Sequence, residues 1–225
     1  MELGLLYEID VPYPWAGDHP WGQRAAERVA YRECIEQIVL ADRMGFEAVW
    51  CVEHHFRENR SHMPCNEAVL AALSQITERI KLGFGVTLAP HEFIHPARIA
   101  EKVATVDLLS GGRALWGVGR STPMEQIAFG VDRDRSKEKM VAAVKSVVGM
   151  WEAQYYEEHS EFLDFPRRMV TPKPYQFPHP QAWMAAATPG SAMMAGQHGM
   201  GLLCFAIFQP LDKLKQIIDA YRKEQ

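Results

Sequence analysis

The sequence has no block of lysine or arginine that could neutralise a phosphate backbone. Its formal charge of −4 over 225 residues gives nucleic acid no electrostatic reason to bind. No apolar stretch reaches the roughly 18–20 residues that span a bilayer, so no membrane segment is expected. Cysteine is scarce: Cys34, Cys51, Cys65 and Cys204 are scattered and form no CxxC pair. They read as reduced, mostly core thiols of a cytoplasmic protein. The start, Met1-Glu2-Leu3-Gly4, has neither the basic region nor the cleavage site of a secretory signal. Short repeats and low-complexity tracts are also missing. What is present, 48% hydrophobic and 23% charged residues, suits one soluble domain over 1–225 with a sizeable core.

Short apolar runs alternate with amphipathic segments. The pattern predicts strands over 3–7, 47–52, 80–88, 113–117, 182–186 and 201–206. Between and after them it predicts helices. The first carries Tyr31, Ile35, Ile38 and Ala41 on one face and ends at Gly45; the others span 68–76, 96–109, 136–151, 190–198 and 211–223. Residues 155–180, with Pro166, Pro172, Pro174, Pro178 and Pro180, read as irregular. Six strand–helix alternations require a parallel sheet with right-handed crossovers, either open and doubly wound or a (β/α)₈ TIM-type barrel. A barrel needs two more units, so a barrel here is expected to be truncated after about six.

In either architecture the chemistry sits at the C-terminal ends of the strands. Polar residues collect there: Glu53-His54-His55-Phe56, Ala89-Pro90-His91-Glu92, Gly117-Val118-Gly119-Arg120-Ser121 and Thr188-Pro189-Gly190-Ser191. An imidazole is the usual acid/base near neutral pH, and His54 is the first candidate; spacing alone favours a hydrogen-bonded structural histidine at a strand end. A metal is disfavoured. Glu53-His54-His55 is no H-E-x-x-H helix, and Pro90 and Pro96 bracket His91 and His95. Gly117-Val118-Gly119-Arg120 lacks the third glycine of a dinucleotide fingerprint, since Thr122 stands there. Gly117 and Gly119 would instead let a flat ring approach the backbone, with Arg120 donating to it or to a phosphate. The helix that opens at Thr188 offers an anion unsatisfied N–H groups, although Thr188 or Ser191 could equally be an ordinary cap. Trp15 and Trp21, in the loop 10–22, could floor a substrate pocket or lie on a variable surface.

Three segments, taken in order, resemble the bacterial luciferase family: Val49-Trp50-Cys51-Val52-Glu53-His54-His55-Phe56, Asp107-Leu108-Leu109-Ser110-Gly111-Gly112-Arg113 and Gly117-Val118-Gly119-Arg120. The similarity runs from Leu3 to about Tyr221. It implies a barrel fold and a flavin-dependent monooxygenase that uses reduced FMN and O₂. It also implies a separate flavin reductase, a small organic substrate and a homodimer. By the same resemblance His54 stands at the reactive edge of the flavin, and Gly85-Val86 is a non-proline cis step beneath the ring. The phosphate would lie at Thr188, Gly190 and Ser191, joined by Lys137 where better-known members carry Arg. Ala187 replaces a residue that is often acidic. Two alternatives stay open: an F420-dependent hydride-transfer enzyme of the same superfamily, and a non-catalytic truncated or partner subunit.

Overall fold

The structure, a computed structural model, describes residues 3–11, 22–58, 60–205 and 210–225. Trp15, Trp21 and the end of the strand predicted over 201–206 therefore lie outside the described residues. Six parallel strands form one curled sheet in the order β1 (Gly4–Tyr7), β2 (Ala48–Cys51), β3 (Lys81–Leu88), β4 (Ala114–Gly119), β7 (Ala182–Ala185) and β8 (Gly201–Leu203). Helices connect them, α1 (Gly22–Met44), α2 (Asn66–Ser74), α3 (Pro96–Leu109), the short α4 (Pro123–Ala128), α5 (Ser136–Glu152) and α6 (Pro189–Gln197), and α7 (Leu211–Arg222) follows β8. This is an α/β half-barrel with its strands in sequence order, as the alternation predicts. Among the described residues no helix is long and apolar enough to cross a membrane.

Two elements depart from the sequence reading. Residues 155–180, expected to be irregular, contain an antiparallel hairpin of β5 (Tyr156–His159) and β6 (Asp164–Arg168). Its acidic residues and Pro166 hide it, because proline cannot serve a central strand. A two-stranded ribbon has only edges, and Pro166 falls where the register slips between the Tyr156–Arg168 and Glu158–Phe165 pairs. The second departure is α4, a helix between β4 and α5.

The convex face of the sheet is the core. Val49, Cys51, Leu82, Phe84, Ala114, Trp116, Val118 and Met184 are buried beneath the helices. From α5, Trp151 meets Trp116 edge-on at 4.9 Å and donates its indole N–H to the Ala100 carbonyl of α3 at 3.0 Å. Arg113 fastens the N-terminal end of the sheet. Its guanidinium donates to the carbonyls of Ser74, Thr77, Ile80 and Ser110 and to the Thr77 hydroxyl, satisfying backbone left over at the end of α2. The preceding turn needs its two glycines, since Gly111 and Gly112 have φ of +66° and +87°. The Ser-Gly-Gly-Arg segment is thus a staple of the fold at the end opposite the strand C-termini.

The concave face is built differently. Trp50 of β2 and Trp183 of β7 touch edge-on, 5.7 Å between centroids, although β3 and β4 lie between their strands. Glycines make room for the rings. A Cβ on Gly83 would stand 2.5 Å from the Trp50 ring and one on Gly201 2.4 Å from Trp183. One on Gly117 would stand 2.3 Å from the Phe84 carbonyl oxygen, which is backbone and cannot swing aside. Gly117→Ala is therefore expected to destabilise the protein by about 1–3 kcal/mol through overpacking. Gly190→Ala, where nothing lies within 4 Å, should stay within ~1 kcal/mol. Urea unfolding of the two variants checks this; equal stabilities would contradict the packing account.

Candidate functional site

At the C-terminal ends of the strands the chain folds back on itself around a buried carboxylate. His54 leaves β2 with its backbone N–H bonded to the Met63 carbonyl at 3.1 Å. Its side chain is 21% exposed, and its Nδ1 lies 3.2 Å from Oε1 of Glu125, whose side chain is fully buried. The His55 backbone N–H donates to the same oxygen at 2.7 Å. The Ser121 hydroxyl (2.7 Å), the Thr122 hydroxyl (2.5 Å) and the Thr122 N–H (3.2 Å) donate to Oε2. Glu125 is also the N3 residue of a capping box on α4, with Thr122 as N-cap and Pro123 in the first turn. Burial alone would push its carboxyl pKa up. Hydrogen bonds from His54, Thr122, the His55 amide and Ser121 outweigh that and hold it well below the usual carboxylate range.

The sequence reading missed Glu125. Its signal was in the sequence, as the Thr-Pro-x-Glu start of a short helix directly after β4. His55, by contrast, turns away from His54. Its Nε2 lies 3.5 Å from Glu53 and its ring meets Phe129 edge-on at 4.9 Å. Phe56 and Phe93 also pack on Phe129, so an aromatic wall stands beside the His54 segment. His95 caps α3 by accepting from the Ala97 N–H.

The structure brings Gly85, Val86 and Gly119 together. The Gly85–Val86 peptide is cis, and a Cβ on Gly119 would stand 2.5 Å from Val86 Cγ2 and 3.9 Å from the Ala185 Cβ. The space a side chain would need is taken by Val86 at Gly119, and by Phe84, Leu203 and Trp50 at Gly117. The two glycines permit the close approach of β3 to β4. Asn66, fully buried at the start of α2, donates from Nδ2 to the Cys51 carbonyl (3.0 Å) and to the Val86 carbonyl (3.4 Å), tying β2 to this step.

Arg120 donates to the buried Ser136 hydroxyl at 2.9 Å, and its carbonyl accepts from the Gln126 side chain at 2.6 Å. With Ser121, Gln126, Asp132 and Arg133 it lines an open cleft of about 610 Å³. Lys137 follows Ser136 on α5 and is half-buried. Across the β4–β7 pairing, Ala187, Thr188 and Gly190 are exposed at the start of α6. Thr188 is the N-cap: its Oγ accepts from the Ser191 N–H (3.2 Å) and donates to the Ser191 hydroxyl oxygen (3.1 Å). Pro189 has no N–H, so the Gly190 N–H and the Ser191 hydroxyl proton remain for an anion. Among the described residues no hydrogen bond joins the Arg120–Ser136 pair to the Thr188–Ser191 pair.

Comparison with known proteins decides what this geometry belongs to. The sequence profile of the luciferase-like monooxygenases matches residues 15–225. The chain belongs to the luciferase-like monooxygenase family. Relatives of this family member include the oxygenase component of a flavin-dependent trigonelline monooxygenase from Acinetobacter baylyi. That protein is 33% identical over 176 residues, which cover 77% of the chain and 48% of the relative. An F420-dependent glucose-6-phosphate dehydrogenase from Amycolatopsis mediterranei is 30% identical over 186 residues, covering 80% of the chain and 55% of the relative. The crystal structure of the monooxygenase RslO1 from Streptomyces bottropensis superposes with a TM-score of 0.85 at 30% identity, over 100% of this chain and 65% of that one. The chain thus spans about half the length of the curated relatives it matches.

Glu125 gives the site a pH signature. A carboxyl whose folded pKa is depressed contributes stability that is fully present above its unfolded value, near 4.5, and is lost as pH falls toward the folded value. The stability gap between the protein and its Glu125→Gln variant should therefore be widest at neutral pH and narrow in acid below that value. Urea midpoints measured across this range check it, and a gap independent of pH would contradict it.

Proposed function

We propose that this chain is the flavin-binding part of an oxygenase that takes reduced FMN from a separate reductase. It would insert one oxygen atom of O₂ into a small organic substrate. The observation that carries the reading is His54 at the strand ends, its Nδ1 3.2 Å from a buried carboxylate, next to the segment that bears Arg120. The family and the flavin-dependent relative support it.

The residues present fit a flavin nucleotide. Arg120, Arg133 and Lys137 supply positive charge, while Gly190 and Ser191 supply unspent donors at a helix start, which suits a phosphate. Ala187 and Thr188 complete that turn. Gly85, Val86 and Gly119 form the floor on which the ring system would rest. When bound, reduced FMN supplies the electrons and the carbon framework on which O₂ is activated. The chain's own part is proton handling and enclosure. With Nδ1 beside Glu125, His54 has Nε2 left to take up or give a proton. Trp50, Trp183 and Leu203 line the concave face with apolar surface, and the Phe56–Phe93–Phe129 wall offers contact to an organic substrate.

The second reading is hydride transfer with F420. The dehydrogenase relatives support it, since the same imidazole would serve as acid/base there. Homodimerisation belongs to the same proposal. Among the described residues the outer edges of β1 and β8 have no strand partner, and unpaired edges favour pairing with further chain or a second copy.

Anaerobic titration with reduced FMN and with F420 separates the two readings: reduced FMN should bind more tightly, and a preference for F420 would overturn the oxygenase. For His54→Ala we expect the single-turnover reaction of bound reduced FMN with O₂ to slow by about 10²–10⁴-fold, with reduced-FMN affinity nearly unchanged. Equal losses in both would make His54 a binding or structural residue.

A further inference from the structure

We infer that Glu125 is a positioning residue for His54: its carboxylate fixes the imidazole as the Nδ1–H tautomer and aims Nε2 at the mouth of the half-barrel. The inference rests on the acid/base reading of His54 for its consequence, but not for its geometry. An ionised carboxylate only accepts hydrogen bonds, so an imidazole nitrogen 3.2 Å from it must carry a proton. Glu125 is kept ionised by its other donors, from His55, Ser121 and Thr122, and these also fix where the carboxylate lies. Two of them are backbone N–H groups, fixed by the chain, and the two hydroxyls belong to the turn that caps α4. The group is fully buried, so water does not compete for it.

The arrangement joins three elements at one point. The segment after β2 supplies His54 and His55, the turn between β4 and α4 supplies Ser121 and Thr122, and α4 supplies the carboxylate. A histidine held by a fixed acceptor on one ring nitrogen has the other nitrogen as its only site for proton exchange, and the direction of that exchange is set by the fold. Without the carboxylate, the ring could rotate or adopt the Nε2–H form, and the lone pair would no longer face the mouth. The carboxylate itself touches no reacting atom.

The test reads the tautomer directly. Nitrogen NMR of the intact protein labelled in histidine gives the protonation of each His54 nitrogen, with His54→Ala used for assignment. The neutral imidazole should be the Nδ1–H form in the unmodified protein. In Glu125→Gln it should shift toward the Nε2–H form, and the single-turnover reaction of bound reduced FMN with O₂ should slow tenfold or more, with reduced-FMN affinity unchanged. A neutral Nε2–H form in the unmodified protein would overturn the proposal without any variant. So would a Glu125→Gln protein that keeps both tautomer and rate. If the tautomer shifts as expected while His54→Ala leaves the reaction untouched, the positioning stands and it is the acid/base reading of His54 that falls.

Discussion

The contact of Trp50 with Trp183 is the constraint on which the rest depends. Their strands are three spacings apart, about 14 Å in a flat sheet at ~4.8 Å per strand, yet the rings lie 5.7 Å from centroid to centroid. Two indoles can meet across two intervening strands only if the sheet curls and those strands carry little on their inner face. Gly83 and Gly117 satisfy the second condition, and Gly201 does so beyond Trp183. The curl then carries the strand ends toward one another. This is why residues as distant in sequence as Gly85, Gly119 and Ala185 come to share one surface.

The same curl sets the end of β2 against the segment that follows β4, and the chain closes that junction with Glu125. Burying a carboxylate costs several kcal/mol unless it is well bonded. Here donors from His54, His55, Ser121 and Thr122 meet that cost, so the carboxylate stays charged. One group thereby caps a helix, pins two strand ends together and orients the candidate acid/base. A second buried side chain, Asn66, reaches the β2 and β3 ends from below. The site is thus held by polar contacts at its rim and by ring packing beneath.

Much of this was legible in the sequence, because the strand–helix alternation has a clear period and parallel strands place their C-terminal ends together. The six-strand order and the positions of His54, Arg120 and Thr188 at strand ends follow from that. What stayed hidden has particular reasons. The β5–β6 hairpin carries Glu157, Glu158 and Pro166, a composition that strand propensities disfavour. Gly117 and Gly119 do not show in the sequence which neighbours they make room for, and these include Phe84 and Val86. Glu125 lies on a helix of only six residues, too short to show a helical period, although Thr122-Pro123-x-Glu125 is itself a helix-start pattern. Arg113 looked like part of a family signature, and its five bonds are to the backbone and one hydroxyl at the opposite end of the sheet.

The central claim is that the convergent ends of β2, β3, β4 and β7 form a flavin site. A crystal structure of the protein soaked with FMN tests it most directly. The account expects the ring system against Gly85, Val86 and Gly119, with His54 at its edge and the phosphate within hydrogen-bond reach of Arg120, Gly190 or Ser191. FMN bound elsewhere on the molecule, or a phosphate directed away from the start of α6, would contradict it.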